Sequence, residues 1–207
     1  MDWLEVSLVL STDIHARDDK GNTVLHLAAQ FPDEKDAVTM VDIMLRNGVR
    51  IGTRNDAGET PLHIAAALGH VAVARYLMAA GADASIADFG GDDVVDIFGN
   101  RWGDFLALEG RSSFDRAVDG GHVDVVMMMI DKGLSPRALL FANSAVMVDT
   151  LVEAGCNVQG SSGKEALRKA CRNGNMGVVQ ALLRHSMKED RRRTKIELEH
   201  FAVFGFQ

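Results

Sequence analysis

The chain is 207 residues long, carries 22 basic against 29 acidic side chains for a formal charge of −7, and is 47% hydrophobic. Such a length can bury a sizeable core, the small net charge excludes a disordered polyelectrolyte, and its sign excludes a general nucleic-acid binder, which needs a basic surface to release counterions. Two cysteines, Cys156 and Cys171, exclude a disulfide scaffold and a paired metal site, and no apolar run approaches the roughly 18–20 residues of a membrane span.

In chain order, residues 3–10 read as a helix and residues 13–18 as the link that follows a helix pair, so residues 1–12 form an N-terminal cap or half repeat. The run Gly21-Asn22-Thr23-Val24-Leu25-His26-Leu27-Ala28-Ala29 opens a helix pair that closes at Leu45-Arg46-Asn47-Gly48. A second copy, Asp56-Ala57-Gly58-Glu59-Thr60-Pro61-Leu62-His63-Ile64-Ala65-Ala66-Ala67-Leu68-Gly69-His70, runs on through residues 71–78 to Gly81-Ala82-Asp83. Thr23 to Gly48 spans 25 positions and Thr60 to Gly81 spans 21, so the first copy holds four extra residues, best placed within 31–36. Residues 88–108 form a degenerate copy in which Asp93-Val94-Val95-Asp96-Ile97 replaces the Thr-Pro-Leu-His-Ile run. A shift of 52 sets Gly58 on Gly110, Ala65 on Ala117, Gly69-His70 on Gly121-His122 and Gly81 on Gly133. A short copy with Ser135-Pro136 fills 135–155. A shift of 105 sets Gly58 on Gly163 and Gly69 on Gly174. Residues 187–207 fit no copy; 190–201 read as a capping helix with Phe201, Val203, Phe204 and Phe206 over the last open face, or as an apolar anchor for a partner.

Each copy has a physical logic. Thr60 is an N-cap whose side chain accepts the first backbone amides, and Pro61 fits the first helical turn. Leu62, Ala65 and Ala66 make a thin helix, Gly69 ends it in a left-handed conformation, and Val71, Val73, Ala74, Leu77 and Met78 follow helical spacing. One such unit cannot bury its apolar face alone, and stacking does so.

These units resemble the ankyrin repeat, whose unit of about 33 residues carries Thr-Pro-Leu-His-x-Ala. The resemblance covers residues 13–186 and is strongest over 56–83. It implies an all-α solenoid of about six helix-turn-helix units with β-turn fingers, the units at 88–108 and 135–155 being irregular or shortened. It also implies a non-catalytic module that binds another protein through its finger tips and concave helix face. Carried over by position, the partner contacts are Arg17, Asp19, Lys20 and Asn22 in the first finger, Arg54, Asp56, Ala57 and Glu59 in the second, and Ala67 and Leu68 on its helix. The irregular third finger adds Ala87, Phe89, Gly90 and Asp92. Phe89 takes the place of Asn55, either as an exposed anchor or folded inward, and Phe31 is a similar candidate. The binding surface is expected mainly on residues 15–95.

Other chemistry finds little support. His26 and His63 occupy the motif position whose imidazole, in the family, bonds loop backbone; His70 and His122 sit at interhelical turns, and no matched ligand spacing favours a metal. The run Gly160-Ser161-Ser162-Gly163-Lys164-Glu165 lacks the first glycine and the hydroxyl of a phosphate-binding loop, and Gly163 is explained as a turn glycine. Cys171 falls at an inner helix position and is expected to be buried. Met128 and Met129 suit a core, Met127 being a lone exposed side chain or part of an adaptable contact surface. Arg191-Arg192-Arg193-Thr194-Lys195 reads as a solvated helix face ahead of a localisation or nucleic-acid patch. The expectation is therefore a scaffold or adaptor with no catalytic residue, metal or cofactor, a monomer when unbound, whose partner has a basic surface and is neither nucleic acid nor membrane. The alternative is the targeting region of a larger enzyme or host-directed effector whose catalytic part lies outside this chain. Acids Asp2 and Glu5 stand where a secretory signal carries Lys or Arg; a cytoplasmic or nuclear location is expected, with export as an effector left open.

Overall fold

The computed structural model describes residues 13–89, 110–134 and 138–188. The chain divides into two compact units, Met1–Lys132 and Gly133–Gln207. Expectations for residues 3–10, for Asp92 and most of the 88–108 copy, for Ser135-Pro136, for the basic cluster 191–195 and for the apolar tail fall outside the described residues.

Among the described residues the first unit is a stack of three helix pairs: α1 (Val24–Ala29) with α2 (Glu34–Arg46), α3 (Pro61–Leu68) with α4 (Val71–Ala79), and α5 (Ser113–Asp119) with α6 (Val123–Asp131). The short helices pack in sequence, α1 on α3 and α3 on α5, and the second helices follow, α2 on α4 and α4 on α6. Alanine makes this possible: Ala29, Ala65, Ala66 and Ala117 are fully buried, so neighbouring backbones approach closely, while Leu25, Leu62 and Phe114 fill the space beside them. Met40, Met44, Leu77 and Met129 build the core between the layers. Gly69 ends α3 at φ 78°, a left-handed conformation costly to other residues.

One feature of the repeat differs from expectation. The four extra residues of the first copy are not a loop. Thr23 to Glu34 and Thr60 to Val71 both span 11 positions, so the second helix starts in register in each copy, but α2 has 13 residues and α4 has 9. The insertion is one added helical turn, which keeps the buried stripe on one face. Its first residue, Glu34, reaches the next unit and accepts a hydrogen bond from the Ala72 amide, capping α4, whose own N-cap residue, His70, supplies no side-chain cap.

The fingers also differ in length. The bridge Arg17↔Thr23 closes the first finger over 6 positions, whereas Ala87↔Ser112 closes the third over 25, a difference of 19. In the stack α3 packs directly on α5. The turn histidines agree, each bonding the preceding unit: His70 Nδ1 with Ala29 O at 3.1 Å, and His122 Nε2 with Ala67 O at 2.8 Å.

In the second unit, a four-residue 3-10 turn, Ala138–Phe141, stands for a first helix, as a shortened copy should. It is followed by α7 (Ala145–Glu153), α8 (Ser161–Arg172) and α9 (residues 176–188). Leu139, Met147, Leu151, Ala166 and Leu182 form its core. Here α8 corrects the position of Gly163, which lies inside the helix and not in a turn: the helix begins one turn early, and a Cβ on Gly163 would overlap the Val158 carbonyl. Cys171, expected to be buried, is exposed, because it sits about 100° round the helix from buried Ala170. Cys156 is the buried cysteine, and burial pushes its thiol above the ordinary value. Met128 and Met129 are buried and Met127 is exposed.

Candidate functional site

The fingers of the first unit are built on one recurring side chain. Asp18, Asn55 and Asp88 occupy equivalent positions, and each turns the chain by accepting backbone amides on Oδ1: Asn22 N at 2.8 Å, Glu59 N at 2.9 Å and Arg111 N at 2.8 Å. The backbone closes the same loops, Asp18 N to Asn22 O, Asn55 N to Glu59 O and Asp88 N to Arg111 O. Hydrogen bonds from Asn22 hold the Asp18 carboxyl below its ordinary range. Adjacent fingers then join edge to edge, Asp56 N donating to Lys20 O and Phe89 N to Ala57 O, both at 3.0 Å. This pairing moves Phe89 one place from its expected register: it stands where the second finger has Asp56, and Asp88 stands where it has Asn55.

Buried histidines lock the fingers to the helices. Thr23 and Thr60 are N-caps in extended backbone. Each threonine forms a capping box with the histidine at the third helical position, and its hydroxyl also pairs with the Nδ1 of His26 or His63, at 2.9 and 2.8 Å. That Nδ1 also accepts the threonine amide at 3.1 Å, so the free proton lies on Nε2. Nε2 then donates to the next finger: His26 to Glu59 O at 3.0 Å, His63 to Arg111 O at 2.9 Å. Burial, the first cause in each case, pulls both imidazoles below the ordinary 6.5. The third unit keeps half of this device, Ser112 and Asp115 forming a reciprocal capping box; a carboxylate has no N–H to send onward.

Between the first two fingers and α3 lies an open groove of about 690 Å³. Asp18, Asp19, Lys20 and Glu59 line the finger side, and Ile64, Ala67 and Leu68 the helix side, with Gln30 at the end of α1. Leu68 is 47% exposed although every other side chain of α3 from Pro61 to Ala66 is buried. Glu59 is half committed, taking Asn55 Nδ2 at 3.0 Å and Arg116 Nη2 at 3.2 Å. Arg116 also holds the fully buried Asp88 carboxylate at 2.6 Å. Asp19 joins no ion pair among the described residues.

The residues expected to meet a partner therefore separate into groups. Asp19, Lys20, Glu59, Ala67 and Leu68 converge on the groove. Arg54 and Phe89 make a second patch, the guanidinium 5.4 Å from the ring centroid; Phe89 is 65% exposed with its ring against Gly58. Asp56 is exposed, with its carboxylate against Gly21. Arg17 is exposed but donates Nη1 to Gly21 O and Arg54 O, tying two fingers together. Asn22, expected as a contact, is buried: its side chain donates to Asp18 and accepts from Asn55, so it holds the fingers together where it lines the groove. Ala57 lies on the second finger and Ala87 in the third-finger bridge. Gln30, Ile64 and Arg116 were not expected here; Gln30 could have been found as the position in the first copy that matches Ala67 in the second.

Asn55 tests the finger geometry. Asn55→Ala removes the acceptor of two amides and the donor to Asn22, and should cost about 2–3 kcal/mol, read as a lower urea midpoint at unchanged slope.

Among the described residues no group of three His, Cys, Asp or Glu is placed to hold a metal ion, and no helix is long and apolar enough to cross a membrane. Residues 4–88 match the family model described as ankyrin repeats (3 copies). No curated protein matches the chain.

Proposed function

Because residues 4–88 match the ankyrin-repeat family model, we propose that the chain is a non-catalytic scaffold or adaptor whose first unit holds another protein in the groove between its fingers and α3. Ankyrin repeats are generally protein-protein interaction modules, and the finer reading rests on one observation. The groove is lined by side chains with no structural duty, Asp19, Lys20, Gln30 and the half-exposed Leu68, beside residues such as Asn22 and Asn55 that are spent on holding the fingers. An exposed leucine among charged neighbours suits a contact that buries it, worth about 1–2 kcal/mol to a partner. The protein is a monomer before binding, and the partner contacts are Asp19, Lys20, Glu59 and Leu68, with Arg54, Asp56 and Phe89 at the finger tips.

The test is recovery of cross-linked partners by wild type and by Leu68→Arg, with helical content checked by circular dichroism. Leu68→Arg should lose at least about tenfold in recovery of the specific partner. Equal recovery from a folded variant sinks the groove as the contact surface.

A further inference from the structure

The groove has the two chemistries of one kind of guest. Its helix side is apolar, with Ile64, Ala67 and Leu68, and its finger side brings Asp18, Asp19 and Glu59 against the single cation Lys20. Glu59 is partly neutralised by Arg116 at 3.2 Å. Asp18 stays ionised because Asn22 bonds its carboxylate, and Asp19 is exposed and outside any ion pair among the described residues. A carboxylate guest would meet like charge here. An uncharged polar guest would leave the acids as they are in water. A long aliphatic stem ending in a cation covers Leu68 with its methylenes and reaches the acids with its head, the way Lys and Arg side chains lie on apolar surface.

We propose that this groove takes one lysine or arginine side chain of the partner, its stem on Leu68 and Ala67 and its charged head between Asp18 and Asp19. This rests on the groove being the partner site and names the chemistry that site reads. Lys20 sets the geometry, since a cation entering along the finger tips meets it first, whereas one entering over Leu68 reaches Asp19 with its stem already seated. The contact is local and half exposed, so a single side chain binds weakly, each ion pair adding a few tenths to about 1 kcal/mol, and the partner supplies the remaining surface.

The experiment uses the whole chain and defined probes: acetyl-Ala-Arg-Ala-amide, the same tripeptide with lysine, and its citrulline and norleucine counterparts. Each is titrated while the Leu68 methyl and Gln30 side-chain amide signals are followed by NMR. The arginine and lysine peptides should shift both signals at concentrations about tenfold lower than citrulline. Asp19→Asn should weaken them about threefold or more, and so should about 1 M NaCl, where the screening length is near 3 Å. Citrulline as effective as arginine overturns the cation while leaving the groove reading intact. Shifts that avoid Leu68 and Gln30, or that ignore Asp19→Asn, or no shift at all, overturn the proposal. The Leu68→Arg recovery experiment judges the groove separately.

Discussion

Replacing His63 with alanine should destabilise the first unit by about 4 kcal/mol, at the upper end for a single substitution. The side chain is fully buried, so its loss opens a cavity between α3 and the third finger. It also strips the Thr60 amide and hydroxyl of the imidazole and leaves the Arg111 carbonyl with the Asp88 amide alone, and a polar group left unpaired in a buried place costs about 1–3 kcal/mol. His122→Ala is the control, because His122 is half exposed and makes one such bond, to Ala67 O; about 1 kcal/mol is expected. Urea unfolding followed by circular dichroism checks both. A His63→Ala loss no larger than that of His122→Ala would show that the imidazole is not the pin joining helix to finger.

The frame that His63 belongs to was legible because it repeats almost letter for letter. Thr-x-Leu-His at 23–26 and Thr-Pro-Leu-His at 60–63 are each followed by a closing glycine, Gly48 and Gly81, and the helix pairs follow. The third copy was harder because chemistry outlived spelling: Ser112 and Asp115 perform the capping of Thr60 and His63 with different letters. The length of the third finger was not legible in the same way: its bridge Ala87↔Ser112 spans 19 positions more than that of the first finger, and His63 bonds Arg111, 48 positions away. Gly163 shows how little a glycine says alone, since a turn and a close approach to a carbonyl both demand the missing side chain, and the overlap with Val158 decides.

The site was legible as a region and not as roles. Position in the repeat brought Asp19, Lys20, Glu59 and Leu68 to one groove. It could not separate Asn22 from them, because whether a polar finger residue faces solvent or its neighbour depends on a cross-repeat partner. For Asn22 that partner is Asn55, at 2.9 Å and 33 positions away. Nor could it show that Arg116, aligned with the apolar Ile64, would neutralise one groove acid and leave another outside any ion pair.

The same histidines make the first unit sensitive to acid. In the unfolded chain both imidazoles titrate near the ordinary 6.5; in the fold, burial moves both lower. Protonation would also put a hydrogen on Nδ1, where the Thr23 and Thr60 amides already donate. Between the folded value and 6.5 the unfolded chain therefore binds more protons, so stability is fully present above about pH 7 and is lost as pH falls through this window. Each histidine contributes a slope of up to about 1.4 kcal/mol per pH unit, and the pair up to about 3. Carboxylates held below their ordinary 3.8, namely Asp42 by Tyr76 and Asp83 by Ser85, act later, as pH falls below that value. His63→Gln separates the contributions: a glutamine at this helix position can still accept the Thr60 amide but does not titrate near neutrality. Urea midpoints measured at intervals from pH 7.5 to pH 4.5 should fall most steeply just below 6.5 in wild type, with about half that slope in His63→Gln. A wild-type midpoint that stays flat until carboxylates titrate would mean the buried imidazoles carry no such linkage.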